Sequence, residues 1–263
     1  MNSTTVDELQ KSLDSRTPPL VIDVRRREAF VKDTKMVSGA LRREPDRVGS
    51  WAGELPQADK VVVYCVHGHE VSQGVAKALS AAGRDAVFLE GGIAEWHGAG
   101  GVCDAKPEGA STRWVTRERP KIDRIACPWL VARFVDHNAD FLYVPTRDVR
   151  DVAKSRDAVP YDIPDVRFSH DGDLCSFDAF VKHYRLNDPA LQQLAVIVRG
   201  ADTDRLELAP QAAGLAAISL GLSRTFADDH EMLRHGMVMY DALYAWCKEG
   251  QDERHTWNPA AYA

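Results

Sequence analysis

The chain has 263 residues, 44% of them hydrophobic and 27% charged, with a formal net charge of −6. Those proportions are those of a globular chain with room for two ordinary domains, and they exclude a disordered polymer. The negative balance argues against a protein that binds nucleic acid by bulk charge. No apolar run approaches the ~18–20 residues that span a bilayer. The polar start, Met1 to Glu8, lacks the basic and apolar regions of a secretory signal. The five cysteines (Cys65, Cys103, Cys127, Cys175 and Cys247) are scattered without a CxxC pair. That usage fits free thiols in a reducing cytoplasm, so a cytoplasmic protein without a membrane partner is expected.

In chain order, Thr5 and Glu8 have the spacing of a capping box, and Leu9 and Leu13 give the helix after it an apolar face. Leu20 to Val24 reads as a strand, with Asp23 structural and the charged run Arg25 to Glu28 a solvated helix start, although Arg25 could instead pair inside the fold. Residues 42–55 have mixed polarity and no clear period. The β-branched run Val61-Val62-Val63-Tyr64 then ends in Cys65 and a polar loop. A helix is predicted from Gln73 to Ala82, with Val75, Ala76, Leu79 and Ala82 at helical spacing and Gly83 as a stop. Ala86 to Leu89 is a further short strand.

Strand, cysteine, loop and helix in that order place Cys65 at the carboxyl end of a buried parallel strand, where open α/β sheets bind ligands. The first N–H groups of the helix then face the loop, which favours an anion and a thiolate over a thiol. A free cysteine is otherwise an ordinary small core residue.

The stretch Cys65-Val66-His67-Gly68-His69-Glu70-Val71-Ser72 resembles the active-site loop of the rhodanese family. Pro19 to Arg25 with Glu28-Ala29-Phe30 resembles that family's entry strand, and Leu89-Glu90-Gly91-Gly92-Ile93-Ala94-Glu95-Trp96 its closing motif. The resemblance implies an α/β open parallel sheet over residues 1–103 and a Cys65 persulfide that passes sulfane sulfur to a nucleophile. It implies a cradle of backbone N–H groups across Val66, His67, Gly68, His69, Glu70, Val71 and Ser72, with no cofactor required. A small sulfur donor or oxyanion and a thiol acceptor such as glutathione are the expected partners. Two departures stand out. Glu70 occupies the place of the usual Arg, and Ser72 comes one position late. A carboxylate there is expected to raise the thiol's pKa and repel a dianion, with His67 and His69 as offsets if protonated; the alternative is a Glu70 that points away from the cradle.

Residues 104–112, rich in turn formers, read as a linker, with Cys103 beside it as a thiol that could reduce a Cys65 persulfide. From residue 113 to residue 263 the pattern is mainly α. Pro128 has the look of a first helical residue before Trp129 to Val135. Phe141 to Val144 reads as a single strand. Asp188-Pro189 starts one helix, and residues 211–222 form another. Residues 228–247 form a long amphipathic helix carrying Met232, Gly236, Met239, Tyr240, Leu243 and Cys247.

Lys121-Ile122-Asp123-Arg124-Ile125-Ala126-Cys127-Pro128-Trp129-Leu130, residues 168–177, and Val198-Arg199-Gly200-Ala201-Asp202 resemble the C-terminal domain of chromate-resistance proteins of the ChrB type. That implies a link to chromate or oxidative-stress defence without supplying a reaction. Two sites are conceivable in this half. Arg124 with Lys121 could hold an oxyanion, although internal ion pairs in a solvated segment are the simpler reading. His170, Cys175, Asp202 and His235 offer nitrogen, carboxylate and thiolate donors for a transition metal, in no standard spacing. Three functions compete: a rhodanese-type sulfurtransferase acting through Cys65, a non-catalytic oxyanion-binding or sensing protein, and a metal-dependent redox activity in the second domain. A nucleic-acid partner is not expected, because no recognition helix is evident.

Overall fold

The computed structural model describes residues 2–15, 17–56, 58–105 and 112–252. The first half is a parallel sheet whose strands are β1 (Ser3–Thr4), β2 (Leu20–Asp23), β4 (Leu41–Arg42), β5 (Val61–Tyr64) and β6 (Ala86–Leu89), in the spatial order β1-β6-β5-β2-β4. A separate antiparallel ribbon pairs β3 (Lys35–Val37) with β7 (Cys103–Ala105). Helices α1 (Val6–Leu13), α2 (Arg27–Lys32), α3 (Val48–Trp51), α4 (Glu70–Ala81) and α5 (Gly92–Gly98) cover the sheet. The capping box at the start of α1 is formed, with Glu8 N–H donating to Thr5 Oγ1 at 3.3 Å and Thr5 N–H to Glu8 Oε2 at 2.9 Å.

The strands are apolar on both faces because both faces are covered. Leu20, Ile22, Val61 and Val63 point to one side, and Val21, Val62, Val87 and Leu89 to the other. The second set packs on Leu9, Phe30, Ile93 and Trp96. The first set is continuous with the core of the second half, through Trp51, Phe134 and Trp129.

The second half carries more strand than Phe141 to Val144 alone. β8 (Arg113–Arg117), β9 (Asp140–Val144) and β10 (Val159–Pro160) form a three-stranded parallel sheet in the order β10-β8-β9. The rest is helical: α6 (Ile122–Leu130), α7 (Val149–Ser155), α8 (Ser176–His183), α9 (Pro189–Asp202), α10 (Ala212–Thr225) and α11 (Asp229–Ala245). The fold is thus an α/β rhodanese-like sheet followed by a mainly helical domain.

Three expectations change. Pro128 lies inside α6 rather than at its start. The carbonyl four residues back, at Arg124, would lose its helical donor, and the Tyr143 hydroxyl donates to it instead at 2.9 Å. Arg25 is not solvated: it is 1% exposed and bonded to Asp23, Asp33 and the Lys35 carbonyl. Asp104 and Ala105 belong to β7 rather than to a linker, because their backbone pairs with Lys35 and Met36. Linker residues 106–111 and the tail beyond residue 252 lie outside the described residues.

The halves are joined by polar contacts as well as by the core. Arg43, 2% exposed on the first half, donates to the Phe134 carbonyl at 3.0 Å and the Val135 carbonyl at 3.3 Å. These carbonyls end the helical run that continues α6, so a guanidinium caps a helix C-terminus across the interface. Asp104 accepts from Gly39 N–H at 2.9 Å and lies 2.7 Å from His183 Nε2, with Arg167 as a further partner.

Candidate functional site

β5 delivers Cys65 to the carboxyl edge of the sheet, 6% exposed. Its Sγ lies 3.2 Å from Oγ of Ser72, a buried residue in the first turn of α4. Burial pushes the thiol pKa up. The Ser72 hydroxyl and the N–H groups of Ser72, His67 and His69 overcome that, and the net shift is downward. The one-residue delay of Ser72 therefore still brings its hydroxyl to the sulfur.

The loop holds this shape because α5 grips it from behind. Ile93 N–H donates to the Cys65 carbonyl and Ala94 N–H to the Val66 carbonyl, each at 3.0 Å. With these carbonyls engaged on the α5 side, the loop's N–H groups are free to face the sulfur. The approach is close enough to require glycine. A Cβ on Gly92, at φ +56°, would sit 2.5 Å from the Cys65 carbonyl and 2.7 Å from Gly68 N. Gly68, at φ +72°, turns the loop, and Gln73 Nε2 donates to its carbonyl at 3.0 Å. Behind the site, the Tyr64 hydroxyl donates to Asp23 at 2.8 Å and accepts from Val37 N–H at 3.2 Å. Asp23 is structural, as expected from sequence.

Of the two readings of Glu70, the one that sets it apart from the cradle holds. It is the first residue of α4, exposed, and lines a surface groove with Arg26 and Asp46. A carboxylate there complements the helix dipole. It is not among the dominant influences on Cys65, whose pKa moves opposite to the expected direction. Val71 is half-buried, and His67 and His69 are exposed at the rim with rings 5.9 Å apart. Cys103 sits in β7, half-buried, and burial raises its thiol pKa.

The second-domain candidates separate. Arg124 is committed internally, with Nε 3.3 Å from Asp162 and Nη1 donating to the Glu118 carbonyl at 2.9 Å. It is no open fork for an anion. Lys121 is exposed at the start of α6. His235 stacks on Phe226 at 4.3 Å and is not among the residues grouped with His170. Cys175 is fully buried, and burial together with Asp123 and Asp178 drives its thiol pKa far up. It is therefore a poor thiolate donor.

His170 and Asp202 do meet, together with two residues that spacing did not single out. His170 Nε2 lies 3.1 Å from Asp202 Oδ2, 3.6 Å from Asp123 Oδ2 and 3.6 Å from Asp162 Oδ1. Hydrogen bonds to the Asp162 and Asp202 carboxylates outweigh partial burial and lift the imidazole to about 10. Burial, then Asp202 and Asp162, drives the Asp123 carboxyl well up. For Asp162, His170, Arg117 and Ser176 outweigh burial and lower it. Asp123 and Asp162 stand in separate loops and helix starts, so no local motif announces them.

A buried cysteine on a strand end, in a loop of inward N–H groups gripped by a Gly-Gly turn, defines the first half as a rhodanese-like domain. Family comparison agrees, matching the rhodanese-like domain over residues 5–99 and the ChrB C-terminal domain over residues 114–247. The second match covers half of the chain, and the protein belongs to the ChrB C-terminal-domain family. Protein ChrB from Cupriavidus metallidurans is 32% identical over 133 residues, which is 50% of this chain and 40% of that protein. The chain thus matches well under half the length of this relative. Among solved structures, a rhodanese-related protein from Thermoplasma volcanium is 22% identical, covering 40% of this chain and 98% of its own, at TM-score 0.35. A rhodanese-like domain protein from Staphylococcus aureus is 29% identical, covering 36% and 91%, at TM-score 0.33. A thiosulfate sulfurtransferase from Pseudomonas aeruginosa is 18% identical, covering 39% and 19%, at TM-score 0.35. No helix among the described residues is long and apolar enough to cross a membrane.

Proposed function

We propose that the chain is a rhodanese-type sulfurtransferase working in chromate or oxidative-stress defence, with Cys65 as its nucleophile. The observation that carries this is the cradle, in which the Ser72 hydroxyl and three N–H groups lower the pKa of a cysteine 6% exposed. The Cys65 thiolate attacks the outer sulfur of a donor such as thiosulfate. The S–S bond of the donor breaks, sulfite leaves with the bonding pair, and a Cys65 persulfide anion remains. The same N–H groups then face the terminal sulfur of the persulfide and stabilise its charge. A thiolate acceptor, glutathione for example, attacks that sulfur and departs as its own persulfide, regenerating the Cys65 thiolate. None of these steps calls for a cofactor.

The test is turnover of thiosulfate, 3-mercaptopyruvate and glutathione persulfide with glutathione as acceptor. Activity with at least one donor, abolished in Cys65→Ala, is the expected result. Absence of turnover with every donor would overturn it. One observation favours a second reading: with Glu70 in place of the usual Arg, that position supplies no guanidinium to draw a dianionic donor to the loop. Oxyanion binding without turnover would then mark the loop as a sensing module, and the chain would act in oxyanion defence without catalysis.

A further inference from the structure

Asp123 is a buried acid, 1% exposed, whose Oδ1 has no hydrogen-bond partner. A buried carboxylate oxygen left unpaired is costly and calls for a cause. Around it stand two further carboxylates and one imidazole. One donor atom each from Asp123, Asp162 and His170 lie within 4.8 Å of one another, and Asp202 Oδ2 is 3.1 Å from the same imidazole nitrogen. Donors held about 2.1 Å from a single ion lie roughly 3.0–3.4 Å apart, close to the 3.1–3.6 Å that separate His170 Nε2 from the three carboxylates.

Further hydrogen bonds orient the carboxylates. Ser176 Oγ donates to Asp162 Oδ1 at 2.9 Å, Ser176 N–H to Asp123 Oδ2 at 2.5 Å, and Asp123 N–H to Asp202 Oδ1 at 3.3 Å. Arg117 and Arg124 hold Asp162 Oδ2, which leaves Oδ1 for the cluster. Such outer partners are how proteins fix metal ligands. His170 is 42% exposed and lines a cleft of about 790 Å³, so an ion has a way in.

We propose that Asp123, Asp162, His170 and Asp202 form a binding site for one divalent first-row transition ion, entered from that cleft. One imidazole and three carboxylates suit manganese, iron or zinc, and the imidazole disfavours magnesium. Cys175 is outside the ligand set, and the site stands independently of any sulfur chemistry at Cys65.

The test is calorimetric titration of the full, untagged, chelator-treated chain with Mn²⁺, Zn²⁺ and Mg²⁺, beside His170→Ala and Asp202→Asn. One saturable equivalent of Mn²⁺ or Zn²⁺ is expected, with Mg²⁺ at least tenfold weaker. Each variant should lose at least tenfold in affinity while keeping the metal-free far-UV circular dichroism and melting temperature of the parent. A Co²⁺ complex should show d–d bands without a thiolate charge-transfer band. Absence of saturable binding, or unchanged affinity in both variants, would overturn the site and leave an imidazolium–carboxylate network. A thiolate band would overturn the ligand set, and Mg²⁺ binding as tight as Mn²⁺ the choice of ion.

Discussion

At the scale of single residues, the chemistry turns on the balance at Cys65. Burial works against the thiolate, and four polar groups work for it. Ser72 supplies two of them, a hydroxyl 3.2 Å from Sγ and an N–H. Ser72→Ala should therefore raise the thiol pKa toward its ordinary range. The sign follows directly: a depressed pKa means more thiolate at neutral pH, so removing the hydroxyl slows alkylation there. A roughly threefold to tenfold slower rate with iodoacetamide at pH 7 is expected, with the difference vanishing above pH 10 where both thiols are ionised. An unchanged pH profile would remove Ser72 from the balance. Cys65 was legible in sequence because a strand, a polar loop and a helix flank it within one short stretch. The cluster was not, because Asp123 lies 39 to 79 positions from Asp162, His170 and Asp202, and only the fold brings them together. Glu70 stayed open for a related reason: residue type names its charge, and only the start of α4 sets its direction.

At the scale of elements, the cradle is as much a property of α5 as of its own loop. Gly92 lets α5 close on the loop, and no side chain fits there without moving the Cys65 carbonyl or Gly68 N. Gly92→Ala forces both a left-handed backbone and a backbone clash. A loss of about 2–4 kcal/mol in chemical denaturation and at least a tenfold fall in Cys65 alkylation rate at pH 7 are expected. Gly74→Ala is the control, since a Cβ there meets nothing within 4 Å and helical alanine is favoured. Equal behaviour of the two variants would contradict the role of the turn. α11 packs on α6 by the same device: a Cβ on Gly236 would lie 2.3 Å from Ile125 Cγ2. Periodicity found the long helices, whose apolar stripes repeat. It misplaced the start of α6, because the proline signal is local and the Tyr143 hydroxyl that tolerates it comes from β9. The short strands β8 and β10 escaped notice because they are five and two residues long and are defined by pairing rather than by pattern.

At the scale of the whole molecule, the two halves share a core and a polar seam. Asp104 is central to the seam. Burial would raise its pKa, but His183, the Gly39 N–H and Arg167 bring it down to about 2. With an unfolded value near 3.8, Asp104 contributes about 2 kcal/mol of stability above that pH, lost as pH falls through about 2. Asp104→Asn should thus lower stability by about 1–2 kcal/mol at pH 7 and flatten the acid limb of a stability–pH curve below pH 4. A parallel offset at all pH values would contradict this linkage. Arg43→Ala uncaps the Phe134 and Val135 carbonyls and should cost about 2–4 kcal/mol, read as a lowered denaturation midpoint. The two-part organisation was visible in composition and in the two sets of motifs. The seam was not, since Arg43 lay in a stretch without a period and Asp104 in residues that read as linker.

The central claim is that Cys65 carries sulfane sulfur, and intact-mass spectrometry tests it most directly. The protein and Cys65→Ala are incubated with thiosulfate, 3-mercaptopyruvate and glutathione persulfide, then with a thiol. A gain of about 32 Da that needs Cys65 and is reversed by the thiol is the expected result. No gain from any donor, or the same gain in Cys65→Ala, would contradict it.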